Sequence, residues 1–391
     1  MEERFDWKRT IKVNIIMLKI VGLWPAGDET YGWNIYTLYE IFSILFIQIG
    51  HIAAQAVNVL LYFDDLQIVT GSIYVLLMEM LGLFKSYFLI KNMGTLKQLM
   101  VTVNCDLFQP KSSQQRKLIQ PNLDAWRTIA STFWFFCWGW LLIWILCPVF
   151  DKTFEEYRLP FLAWYPYDTQ TSPQYEFTYF HQFIGISCIS MVNVNIDTLV
   201  AALNMYIGAQ IDLLCDDLKH FHDGSKNNTA DAIGNLKSCI HHHREILKFA
   251  EYANNFYNWL IFMEFLIGGV SIGLGMFRLS VVIPLSSEFY SFVSYTFCIC
   301  IQVYMYCWFG NEIEVKVIRS SGLLPYAVFE SDWTELSPEV KKMMIFLFLK
   351  VQKPLKMSAF GLFCLSLETF IKILKTSWSY FAVLRQVNLR K

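Results

Sequence analysis

The chain is short of charge. Only 17% of its 391 residues are Asp, Glu, Lys or Arg, against roughly 25% in an average soluble domain. The net charge is −1, so no basic surface for nucleic acid is implied. Catalytic signatures are scarce too: there is no HExxH and no P-loop. An enzyme reading therefore has nothing to rest on, and no cofactor is implied. No CxxC pair occurs, and residues 151–182 hold no cysteine. Cys137, Cys147, Cys188, Cys298, Cys300, Cys307 and Cys364 lie in or beside apolar runs. They read as small buried hydrophobes rather than disulfides or metal ligands. No internal repeat of roughly 20–50 residues is visible, which argues against an inverted-repeat transporter. The apolar run Ile11 to Trp24 is broken by Lys12, Asn14 and Lys19, and no small-residue cleavage site follows. It does not read as a signal peptide, so the first span is expected to direct its own insertion.

What the chain has instead is apolar length. It is 55% hydrophobic and 17% aromatic, with mean hydropathy +0.36. The apolar residues gather into blocks of about 20 or more, enough to cross a hydrocarbon core of about 30 Å. The blocks fall at about 35–61, 67–90, 129–150, 181–212, 256–283, 288–310 and 357–387. Asp64 and Asp65 separate the first two, and Pro284, Ser286, Ser287 and Glu288 separate the fifth and sixth. The pattern predicts an all-α integral membrane protein with seven transmembrane helices, because helices satisfy their own backbone groups in lipid. Residues 1–391 form a single membrane domain on this reading.

Lys and Arg set the orientation. Residues 1–34 carry Arg4, Lys8, Arg9, Lys12 and Lys19, and basic residues recur after the second, fourth and sixth blocks. The first and third intervening loops on the other side have none, and 151–182 has only Lys152 and Arg158. The N-terminus is thus expected in the cytoplasm and the C-terminus outside. A G-protein-coupled receptor has the opposite orientation. The sequon Asn227-Asn228-Thr229 then falls on the cytoplasmic side, where it stays bare.

Polar residues interrupt the spans: Glu79 and Lys85 in the second, Asn193, Asp197 and Asn204 in the fourth, Glu264 and Arg278 in the fifth. Such groups face a bundle interior or a watery cavity, and interhelical packing is the simplest role for them. Their pairing cannot be read from spacing. His241, His242 and His243 follow one another, so on a helix they point about 100° apart and cannot converge on one ion. They are expected on a solvated helix face.

The last block is the unusual one. Pro354 is expected to split it into a short cytoplasmic helix, Met343 to Val351, and a long crossing helix. At heptad spacing Thr369, Thr376 and Val383 share one line of that helix, and Ile373, Tyr380 and Val387 the next. The seam is flanked by Glu368, Lys372, Lys375 and Ser379. It suits a helix facing copies of itself around a wet axis closed by branched aliphatics. It equally suits a helix buried in a monomeric bundle.

QKPLKMSAFGLFCLSLETFIKILKTSWSYFAVLRQ resembles the C-terminal signature of the insect odorant receptor family. So do SDW at 331–333, RLPFLAWYPYD at 158–168 and LKIVGLWP at 18–25. Trp378 departs from the pattern, where Tyr is commoner. The resemblance covers nearly the whole chain. It implies a variable odorant-tuning subunit of a ligand-gated, non-selective cation channel, a heterotetramer with the shared odorant co-receptor. Such a receptor acts in the plasma membrane of olfactory sensory neurons. Its residues 311–356 would serve as the cytoplasmic anchor region, and the last helix would line the pore. The outer gate carries over to Val383, with Val387 one turn above and Gln386 beside them. A gustatory-type channel working without the co-receptor is the related alternative.

The resemblance also implies a pocket for a small volatile apolar ligand between the second, third, fourth and sixth spans. Candidate walls are Ile73, Leu77 and Met80, then Phe136, Trp140 and Trp144, then Gly185 and Ile189, and finally Ser291 and Tyr295. Such a pocket is mostly aromatic and aliphatic with few polar groups. Ser291 and Tyr295 are the expected orienting hydrogen-bonders.

Overall fold

The computed structural model describes residues 4–25, 34–64, 66–150, 152–220, 229–330, 338–351 and 356–389. Asn227, the SDW stretch and Pro354 lie outside them. The described chain is almost wholly helical: α1 Lys12–Val21, α2 Ile35–Phe42, α3 Gly50–Leu61, α4 Leu66–Lys91, α5 Met93–Val103, α6 Ser113–Phe150, α7 Gln174–Lys219, α8 Thr229–Val281, α9 Ser287–Glu330, α10 Pro338–Val351 and α11 Leu367–Leu389. A π-helical segment, Ser43–Ile49, joins α2 to α3, so 35–61 is one rod. Among the described residues, six helices are long and apolar enough to cross a membrane: Ile35–Leu61, Val69–Lys91, Ser113–Phe150, Gln174–Lys219, Ile233–Val281 and Phe289–Lys316. They overlap the first six expected spans, and several run well beyond them. α11 has 23 residues, about 35 Å at a rise of ~1.5 Å per residue, but it carries Glu368, Lys372, Lys375 and Arg385.

Several helices run on past their apolar blocks: α7 to Lys219, α8 from Thr229 and α9 to Glu330. One expectation is corrected here. Helix 357–387 begins later than its apolar run. Residues Ser358–Ala359 and Phe363–Cys364 pair as a short antiparallel hairpin before α11 starts at Leu367. Phe360 and Gly361 both have positive φ, as the central pair of a type I′ turn does, and Leu362 N–H closes that turn on Ala359 O at 3.0 Å. The hairpin is pinned to α8: Asn254 and Asn258 side-chain oxygens accept the Ser358 and Phe360 backbone N–H groups at 3.0 and 2.5 Å. α9 admits the hairpin's exit only because residue 310 is glycine. A Cβ there would sit 2.2 Å from that of Leu365.

α7 is the axis of the bundle. Every residue from Val194 to Ile211 is buried, as expected of a helix apolar all round. Its neighbours are α1, α4, α6, α8 and α9. α1 lies across it at one end, here called basal, with Asn14 Nδ2 donating to Asn195 O at 3.2 Å and Thr198 Oγ1 at 2.5 Å. Gly22, with φ +87°, closes α1 in the left-handed cap that turns the chain away. Also at the basal end, His242 departs from the solvated face expected of the histidines. It is 3% exposed, its Nε2 lies 3.0 Å from Gln210 Oε1, and its ring packs edge-on against Phe108. A helix face packed on α7 buries the middle histidine, while His241 stays exposed. Among the described residues no group of three or more His, Cys, Asp or Glu could hold a metal.

The ionisable groups inside the spans find one another. Lys85 Nζ on α4 lies 2.6 Å from Asp197 Oδ1 on α7 and 2.6 Å from Glu264 Oε2 on α8, all fully buried. Gln302 Nε2 and Tyr306 Oη on α9 donate to Asp197 at 2.5 Å each. One ammonium thus ties α4 to α7 and α8, and Asp197 recruits α9. Removing the cation leaves two carboxylates buried without it, which costs about 3–5 kcal/mol in such settings. Lys85→Met is therefore expected to lower the melting temperature of the purified protein sharply. Adding Asp197→Asn and Glu264→Gln should recover part of the loss.

Candidate functional site

The end of the bundle opposite α1 is closed by residues 158–164. Trp164 N–H donates to Ala54 O on α3 at 2.9 Å. Phe161 exchanges two hydrogen bonds with the Gln182 amide on α7, at 3.0 and 3.1 Å. Trp144 Nε1 on α6 donates to Pro160 O at 2.7 Å, and its indole stacks on Phe161 at 5.6 Å. Below this lid lies a cavity of about 280 Å³ whose walls include Gln55, Ser72, Val75, Trp144 and Arg278. The Arg278 guanidinium packs beside Gly71 and against the Phe292 ring at 5.3 Å.

Val75 also lines a second, deeper chamber of about 50 Å³. Val75, Met78 and Glu79 come from α4, and Phe133, Cys137 and Trp140 from α6. α7 supplies Ile189, Ser190 and Asn193, and α9 supplies Tyr295 and Gln302. The walls are apolar and aromatic with a few polar groups, the make-up of a small-molecule site. Tyr295 Oη donates to Tyr74 O at 2.9 Å, which fixes the ring at the chamber's edge. Glu79 is 2% exposed. Its carboxylate accepts Gln55 Nε2 on both oxygens, at 3.0 and 2.8 Å, and His51 Nε2 approaches it at 3.3 Å.

Trp140, Ile189 and Tyr295, expected from sequence, do line this chamber. The other expected residues do not. Trp144 sits in the upper cavity. Phe136 turns to Phe297, with rings 4.7 Å apart. Ser291 is buried on α9 outside the chamber wall. Ile73, Leu77 and Met80 lie on other faces of α4, and Met80 is 52% exposed. Gly185 meets α3 instead: a Cβ there would fall 2.7 Å from His51 Cγ. α4 is apolar around most of its circumference, so apolar spacing gives no rotation for it. Ser72, Glu79 and Ser86, seven apart and all buried, were the available signal. Polar groups mark the inward face of a helix in lipid, and that face brings Val75, Met78 and Glu79 to the chamber.

The seam expected on α11 divides. Thr369 and Ile373 are buried; Ile373 packs on Gly269 of α8, and Ser377 Oγ donates to Gly269 O at 2.7 Å. Thr376, Val383, Gln386 and Val387 are exposed on the face turned away from α8, and Tyr380 is 44% exposed beside Gly273. Heptad spacing over-extended the outward line at its basal end, because two lines of a straight helix drift around it.

The sequence profile described as 7tm Odorant receptor matches residues 65–378. The chain belongs to the insect odorant receptor family. The receptor is 23% identical to odorant receptor Or1 of Anopheles gambiae, over 99% of this chain and 97% of that one. It is 24% identical to odorant receptor 13a of Drosophila melanogaster, over 96% and 95%. Its fold is similar to that of the insect olfactory receptor OR5 from Machilis hrabei, solved in complex with eugenol. That match has a TM-score of 0.82 at 17% identity and covers 98% of this receptor and all of that chain.

The close approach at Gly185 gives a direct check on the receptor's lid-side packing. Gly185→Ala is expected to push His51 off Glu79 and to destabilise by about 1–3 kcal/mol, the usual range for overpacking. Gly139→Ala, with nothing within 4 Å of its added Cβ, should be neutral in the same thermal melt.

Proposed function

We propose that this receptor is the variable, odorant-binding subunit of a non-selective cation channel that it forms with the shared odorant co-receptor. It sits in the plasma membrane of olfactory sensory neurons with its basal end in the cytoplasm. α11 is its seventh crossing and carries the C-terminus outside. α10 and α11 are the two parts of the split last element, the first an anchor between subunits and the second the pore helix. The odorant occupies the chamber among α4, α6, α7 and α9.

One observation carries this reading: α9, which forms one wall of the chamber, also packs on α11 beside α8. Tyr304 of α9, below Tyr295 and Gln302, meets Phe370 of α11 with rings 5.6 Å apart. The chamber is about 50 Å³, smaller than the roughly 300–1,000 Å³ usual for ligand pockets. A volatile therefore has to displace walls as it enters. Binding then favours an expanded arrangement over the closed one, which is what a ligand must do to bias a gate. The similar Machilis hrabei receptor was solved in complex with eugenol, a small organic molecule, which supports a volatile ligand. The exposed Thr376, Val383 and Val387 are then the residues of α11 that face the axis between subunits. Ile373 belongs to the contact with α8, and Thr369 is buried near the start of the helix.

Recording from cells that express the receptor with and without the co-receptor tests the assignment. Fast cation currents evoked by a volatile panel are expected only with both chains. Currents without the co-receptor would overturn the tuning-subunit role. Trp140→Ala should move the half-maximal concentration of an effective volatile by about tenfold, the equivalent of ~1.4 kcal/mol, with the reversal potential unchanged. Val383→Cys should make the current sensitive to a charged thiol reagent, whereas Ile373→Cys should not. Equal sensitivity of the two would remove α11 from the pore.

A further inference from the structure

We infer that Glu79 makes the deep chamber selective for small aromatic molecules that carry an N–H or O–H hydrogen-bond donor. The inference rests on the reading of that chamber as the ligand site. Phe133, Trp140 and Tyr295 supply flat aromatic walls, which suit a ligand of one or two rings. The polar groups on those walls are unequal. Gln302 is committed to Asp197, and the Tyr295 hydroxyl hydrogen to Tyr74 O. Glu79 is not fully used. A carboxylate offers about four lone-pair positions, and here Gln55 donates to both oxygens while His51 Nε2 lies 3.3 Å from Oε1. Oε2 meets Gln55 alone. Asn193 Oδ1, also on the chamber wall, is buried without a hydrogen-bond partner among the described residues.

Both groups are acceptors. A ligand that brings a donor satisfies one of them, and a ligand with a methyl in that place leaves buried lone pairs dry. A site built to hydrogen-bond a donor rejects the analogue lacking it more strongly than it rejects a change in apolar bulk. The wall holds one unpartnered donor as well, Trp140 Nε1. A phenolic oxygen can accept from it while donating to Glu79, and an indole-type N–H cannot. The ether oxygen of anisole can accept from it as well, so Trp140 favours oxygen-bearing rings over indoles and leaves the donor preference within each pair to Glu79.

The test uses the full-length receptor, co-expressed with the co-receptor and reconstituted in lipid nanodiscs, and measures binding by equilibrium dialysis. The matched probes are phenol against anisole and indole against 1-methylindole. The donor of each pair is expected to bind roughly tenfold tighter or more. Glu79→Leu should bring the ratio close to one, and Glu79→Gln, whose amide oxygen still accepts, should keep part of it. Equal binding within both pairs in the unmodified receptor would overturn the inference. So would a preference that survives Glu79→Leu, or no binding of any of the four probes. Donor-selective binding with no evoked current would instead sink the channel reading and leave this one standing.

Discussion

A single buried ammonium fixes the geometry of this receptor. Lys85 sits between Asp197 and Glu264 with 2.6 Å to each, all three fully buried. Desolvating three charged groups is costly, and close pairing with further hydrogen bonds is the condition for keeping them inside. That condition dictates rotation. With Lys85 turned inward, Gly82, Met78 and Val75 follow on the same stripe of α4 at intervals of three and four, the helical neighbour spacing. The walls of the deep chamber are thus set by an ion cluster beneath it, and not by the chamber residues themselves.

Small residues then set the distances. Gly82 lets α4 approach α7 until a Cβ would stand 2.8 Å from Asn193 Nδ2. Gly269 and Gly273 do the same for α8 against α11, where a Cβ at 273 would lie 3.0 Å from Ser377 O. Helices in lipid gain little from burying apolar surface, so close packing and interhelical hydrogen bonds hold them together. Ser377 Oγ reaching Gly269 O at 2.7 Å is such a bond. A chamber framed by contacts this tight has little free volume at rest, and any ligand has to be admitted by helix or side-chain movement.

The sequence was legible where the physics is one-dimensional. Apolar length located the first six membrane helices within a few residues at most of their edges, and the breaks at Asp64 and Pro284 fell between helices as expected. Rotation was harder, because α4 is apolar on nearly every face and its polar heptad, Ser72, Glu79 and Ser86, is a weaker signal than its hydrophobic one. Gly185 showed the same limit: its role is contact with His51 across helices, which no spacing within α7 reveals. The hairpin at 358–364 was hidden inside an apolar run that reads as helix. Two asparagines on α8 and the missing side chain of Gly310 make it, and those lie far away in sequence. His242 was misplaced because three adjacent histidines cannot all face water on a helix that packs against α7.

α11 is the element whose sequence makes least sense within one chain. One face is matched to α8 by glycine and serine. The other presents Lys372, Thr376, Val383 and Val387, all exposed among the described residues. A helix in contact with lipid on that side would not place a lysine and a threonine one turn apart there, since a charge in the hydrocarbon region is expensive. A wet axis removes that expense at the basal end, and the aliphatic pair can close the same axis nearer the C-terminus. On the proposed reading, the charges that lower this helix's hydropathy below that of the other six are what a pore helix would carry. The same helix is held to the chamber through α9, where Tyr304 meets Phe370, so on the proposed reading the ligand chamber and the pore face share one neighbour.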